Sequence, residues 1–65
     1  MKTAYQIEQN ELDPITHYFM YLKEDGTTTD TPVKALRFDT AEKAEEYRKD
    51  HDQDNNFHIQ RMIVG

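Results

Sequence analysis

Four short stretches of this chain read at the two-residue period of a pleated strand, and one later stretch repeats at three. Residues 3–8, TAYQIE, place Tyr5 and Ile7 two apart, as a half-buried strand requires. QNELDP then breaks the pattern, with Asn10, Asp13 and Pro14 as turn formers. Residues 15–23, ITHYFMYLK, are the densest β-prone stretch. Alternation there puts Thr16, Tyr18, Met20 and Leu22 on one face and His17, Phe19, Tyr21 and Lys23 on the other. A strand apolar on both sides belongs inside a sheet with cover on each face. KEDGTTTDTP connects onward through the turn dipeptide Asp25-Gly26. Residues 33–38, VKALRF, resume as a third strand behind Pro32, which a strand tolerates at its start.

FDTAEKAEEYRKDH changes the period. Asp39 or Thr40 serves as N-cap, acidic residues fill the first turn, and Arg48 and Lys49 fill the last, so both ends complement the helix dipole. With Asp39 as cap, Glu42 completes a capping box. Ala41, Ala44 and Tyr47 form the inward stripe, and the two alanines let the helix axis approach a sheet closely. Residues 57–65, FHIQRMIVG, are the last strand, with Phe57, Ile59 and Ile63 on one side and His58, Met62 and Val64 on the other.

The order is β-β-β-α-β, a single α+β domain over residues 1–65. The predicted sheet is mostly antiparallel, with strands in the order 4-1-2-3 and the helix on one face. A helical crossover from the third strand is expected to leave the fourth parallel to the first. One helix cannot cover both faces. The residue-level expectation is therefore an exposed aromatic sheet face, drawn from the Phe19 and Tyr21 side or the Tyr18, Met20 and Leu22 side, that docks on another protein or a second copy.

Composition narrows the function classes. Thirteen acidic and eight basic residues among 65 give a net charge of −5, and the basic residues are scattered, so nucleic acid and anionic membrane are poor partners. A basic protein surface suits it better. Cysteine is absent, which removes disulfides and thiolate chemistry and fits a reducing, cytoplasmic setting. The first residues contain no apolar run of seven or more, so neither a secretory leader nor a membrane span is expected there.

Catalytic chemistry finds little material. There is no serine, no cysteine and no glycine-rich phosphate cradle, and adjacent Glu45 and Glu46 diverge on a helix, so no enzyme and no cofactor is expected. DHDQDNN sets Asp50, Asp52 and Asp54 at alternate positions, as the first ligands of a calcium loop are set. The twelfth position is Arg61, a cation where two oxygens are needed, so weak cation binding is the most these three predict. His17, His51 and His58 lack the spacing of a metal site.

The strand into FDTAEKAEEYRK, a short polar gap and then FHIQRMIVG resemble, in layout, small acidic proteins of phages and mobile elements that bind and inhibit host proteins, anti-CRISPR inhibitors among them. The resemblance covers the second half of the chain and implies a protein-binding inhibitor, for example of a CRISPR nuclease complex. The residues' own chemistry puts the contacts on His17, Phe19 and Tyr21 and on the acidic helix residues Glu42, Glu45, Glu46 and Asp50, with Asp52 extending the acidic row. A homodimer with a structural or regulatory role is the alternative.

Overall fold

In a computed structural model that describes residues 2–64, Val64 as backbone only, the two outer segments of the sequence pair along their whole length. The elements in chain order are β1 (Lys2–Gln9), β2 (Tyr21–Leu22), β3 (Thr28–Thr29), a 3-10 turn at Pro32–Lys34, α1 (Ala41–His51) and β4 (Phe57–Val64). The sheet order is β3-β2-β1-β4, the predicted order read from the other edge, and the class is α+β. Gly65, the expected end of the last strand, lies outside the described residues.

Every strand pairing is antiparallel, including β1 with β4, where a parallel relation was expected. The reason lies in the segment that feeds the helix. Phe38 does not sit at the far edge of the sheet but beside Tyr5 of β1, in an antiparallel bridge with N···O distances of 3.0 and 2.9 Å. The stretch around Phe38 and β4 are thus parallel to each other across α1, as a crossover demands, with β1 inserted between them and antiparallel to both.

Two further expectations are corrected. Of residues 15–23 only Tyr21 and Leu22 are strand, because Asp13 folds the chain before them into a turn. Of residues 33–38 only Phe38 bridges to another strand; Pro32 opens a 3-10 turn instead, and the strand that follows β2 is Thr28–Thr29. The free edge of β1 is consequently lined by two short stretches, which meet where Leu36 N–H donates to the Leu22 carbonyl at 3.1 Å.

Strand alternation from these registers assigns the faces. Tyr5, Ile7, Leu22, Phe38 and Ile59 point toward α1, whose Tyr47 ring lies 5.5 Å from that of Phe38. Ile7 and Ala44 are fully buried there, and the predicted inward stripe holds except for Ala41, which is exposed. Ala44 is where the helix comes closest, since any larger side chain would hold it off the sheet. The Tyr47 hydroxyl, 2.9 Å from the Lys23 carbonyl, ties the β2–β3 hairpin to the helix, and its ring stacks on His51 at 3.9 Å. Gly26 sits in that hairpin with φ +87°, as the Asp-Gly turn predicts.

The face away from α1 carries Ala4, Gln6, Glu8 and Tyr21 beside His58, Gln60 and Met62. It is mainly polar, and the chain covers part of it: Gln6 is 1% exposed and its amide donates to the Pro32 carbonyl at 2.6 Å. The exposed aromatic sheet face expected from the sequence does not form.

A side chain caps the helix N-terminus, and another ties its C-terminus to β4. Thr40, not Asp39, is the N-cap, accepting from Lys43 N–H at 3.2 Å, so Glu42 closes no capping box. At the other end Asp52 is buried, and its carboxylate accepts from Asn56 N–H at 2.8 Å, Phe57 N–H at 2.9 Å and Arg48 Nη1 at 3.2 Å. Asn55 makes the turn with φ +56°. Asp52→Ala strands two backbone donors and removes one of the partners of the Arg48 guanidinium, which keeps Glu45 and Asn55; the expected loss is about 2–3 kcal/mol, to be read from urea unfolding, and a variant as stable as the parent would contradict this account of the helix-to-strand link.

Candidate functional site

The segment between β1 and β2 is a hydrogen-bonded loop built on Asp13. One carboxylate oxygen accepts from the amides of Ile15 at 2.8 Å and Thr16 at 3.1 Å, while the Asp13 amide donates to the Tyr18 carbonyl at 2.9 Å. His17 N–H returns to the Asp13 carbonyl at 2.8 Å, with His17 itself in the left-handed region at φ +64°. The amides of Ile15 and Thr16 hold the Asp13 carboxyl below the ordinary aspartate range; burial opposes them, and Gln9 and His17 add lesser support.

This frame displays apolar groups outward. Leu12 is 54% exposed, Ile15 86%, Tyr18 60% and Phe19 43%, all within eight residues. Such a grouping on one loop is what small proteins use to meet partners, whereas scattered single apolar residues mean little. The sequence reading found Phe19 and His17 but placed them on a strand face; it missed Leu12 and Ile15. The signal was Asp13-Pro14, whose aspartate can cap the next two amides and so mark a loop.

The other predicted contacts separate into three places. Tyr21 is half-buried on the face away from α1, where burial first and then the Glu8 carboxylate push its phenol up. Glu42, Glu46 and Asp50 are exposed and follow one another at intervals of four along α1, a single acidic stripe. Glu45 leaves that row: it accepts from Arg48 Nε at 3.0 Å and pairs with Arg48 Nη2, and this contact lowers its carboxyl from the ordinary glutamate range. Asp52 leaves it too, by burial.

Asp50, Asp52 and Asp54 do not converge. Asp52 gives its oxygens to the chain, the other two are exposed, and among the described residues no three His, Asp or Glu side chains are placed to hold a metal. His51 is stacked on Tyr47, and His17 is on the apolar loop. His58 is the most tightly held histidine, with Nε2 2.9 Å from Glu8 Oε1 and Nδ1 2.7 Å from Asn10 Oδ1. The Asn10 amide is oriented by its own donation to the Asn55 carbonyl at 2.9 Å. With both ring nitrogens engaged, neither is directed at a substrate, so this cluster joins β1, β4 and the 52–56 loop structurally. No described helix is long and apolar enough to cross a membrane.

No protein-family model, curated protein or solved structure matches this chain.

The loop depends on an ionised Asp13. Because its folded-state value lies below the ordinary one, the stabilisation is fully present above the ordinary aspartate range and is lost as pH falls through the lower, folded value. Amide spectra recorded from about pH 5 down to pH 2 should show the Ile15 and Thr16 amides losing their hydrogen-bonded shifts together, and Asp13→Ala should reproduce that change at neutral pH. Unchanged amides in the variant would refute the role given to Asp13.

Proposed function

We propose that this protein is a small non-enzymatic binding module that grips a protein partner through the 12–19 loop, with the acidic stripe of α1 as a second contact. The observation that carries the reading is the exposure of Leu12, Ile15, Tyr18 and Phe19 on a loop whose backbone is fixed by Asp13. A held loop loses little conformational freedom on binding, and large aromatic side chains supply most of the energy at such contacts.

The partner that fits has an apolar pocket beside a basic surface. Glu42, Glu46 and Asp50 give the stripe three carboxylates on one side of the helix, and the net charge of −5 steers the molecule toward positive charge. Inhibition of the partner, as in the phage-type and anti-CRISPR-like proteins whose layout this chain resembles, is the form of the role we favour. The sheet face, once the expected contact surface, has no part in it.

The test is capture from a bacterial lysate with tagged protein. One stoichiometric partner is expected, released by salt if the acidic stripe contributes. Replacing Tyr18 and Phe19 by serine should abolish capture while the circular dichroism spectrum stays unchanged, and Glu42→Lys with Glu46→Lys should weaken it roughly tenfold or more. Capture that survives loss of both aromatics would reject the loop as the contact.

A further inference from the structure

β4 lies at one edge of the sheet, and its outer side is unpaired by any described strand over eight residues. Which backbone groups face outward follows from its neighbour. Tyr5 directs both its N–H and its C=O to Phe38, and Gln9 N–H goes to Met20, so both turn away from β4. Their partners Arg61 and Phe57 therefore occupy non-hydrogen-bonded positions of the β1–β4 ladder. By alternation the outward groups belong to Phe57, Ile59, Arg61 and Ile63. Phe57 N–H is already held by Asp52, and the Gln60 side-chain amide lies 3.4 Å from the Arg61 carbonyl, the one hydrogen bond to the rest of that edge among the described residues.

An edge of this kind is ordinarily defended by proline, lysine, a bulge or an inward charge. Phe57–Val64 has no proline, glycine, lysine or acidic residue, although the chain carries thirteen acids; its one permanently charged side chain is Arg61, on the helix-facing side. Ile63, pointing to the helix side at the same edge, is 67% exposed. We propose that β4 pairs with β4 of a second copy of this chain, antiparallel about a two-fold axis through Gln60, making one continuous eight-stranded sheet.

The register follows from geometry and charge. A two-fold perpendicular to the sheet keeps both helices on one side, so residues of like parity oppose each other. Centring on Gln60 sets Ile59 against Arg61 in two hydrogen-bonded pairs and Phe57 against Ile63 in two more, where Ile63 N–H reaches the Phe57 carbonyl. The exposed Ile63 is then covered by a phenyl ring. Centring on Arg61 would set two guanidiniums face to face, which disfavours it. A second copy suits the edge because in this register each chain's Phe57 meets the other's exposed Ile63, so the same apolar contact forms twice. No acid on either strand opposes the approach of two chains that each carry −5.

Two measurements on the whole chain decide it. Sedimentation equilibrium at about 100 μM should give twice the 7.8 kDa chain mass, and Gln60→Lys, which sets two ammonium groups opposite each other while leaving the helix side intact, should return the mass to 7.8 kDa with unchanged circular dichroism. Because the chain has no cysteine, Gln60→Cys gives a single thiol at a non-hydrogen-bonded antiparallel pair, where Cα atoms about 4.5 Å apart permit a disulfide. Under mild oxidation it should cross-link at least roughly ten times faster than the exposed helix control Lys49→Cys. A single-chain mass for the parent protein overturns the proposal. So does cross-linking of Gln60→Cys no faster than the control, which would place any dimer on another surface, the apolar loop included.

Discussion

The antiparallel ladder between β1 and β4 joins Lys2 to Val64 and Gln9 to Phe57 through eight consecutive pairs, so the residues that define the sheet are nearly the whole sequence apart. Closing so long a loop costs entropy before any contact repays it, which makes this the step on which the rest of the fold waits. Once the ladder exists, β1 offers its second edge, and the stretches near Tyr21 and Phe38 dock there end to end. The helix is then held between two strands that straddle β1. Without the ladder neither short stretch has a template, and a two-residue strand has no independent stability.

Apolar burial alone is thin. Among the described residues the buried apolar ones are Ala4, Ile7, Leu22, Ala35 and Ala44, three of them alanine. Polar contacts make up the difference: Tyr47 to the hairpin, Asp52 to the start of β4, Gln6 to Pro32 and the His58 cluster between the outer strands. Among the described residues no buried side-chain polar atom lacks a partner, so these groups are satisfied where they sit. Such a design fixes geometry without a large core. It also explains how four apolar side chains can remain on a loop: in a body this small there is little interior to receive them.

Elements with a strong period were legible in the sequence. β1, α1 and β4 were placed within a residue or so, because Tyr5 and Ile7, Ala44 and Tyr47, and the β-branched run after Phe57 mark them, although apolar residues on both sides of β4 left its inward face open. The two neighbours of β1, the Tyr21 stretch on one side and β4 on the other, were legible as well, but the third strand was not: it is Thr28–Thr29, not residues 33–38. Residues 15–20 were not, because β propensity pointed to a strand while a single side chain, Asp13, supplied the local hydrogen bonds that won. The direction of β4 was hidden for a different reason: nothing near Phe38 announces that it will bond to Tyr5 and not to the far edge. Of the expected contact residues, Phe19, His17, Glu42, Glu46 and Asp50 are exposed, whereas Glu45 and Tyr21 are occupied by neighbours that only the tertiary structure brings to them.

The pairing of Lys2 with Val64 also fixes how the molecule meets mechanical force. Tension applied at these two positions acts at one end of an antiparallel ribbon and loads a single rung at a time. The sheet therefore opens like a zip, at low force, with the Glu8–His58 contact near the last rungs to part. Were the two strands parallel, as first expected, the same pull would shear all rungs together and meet far greater resistance.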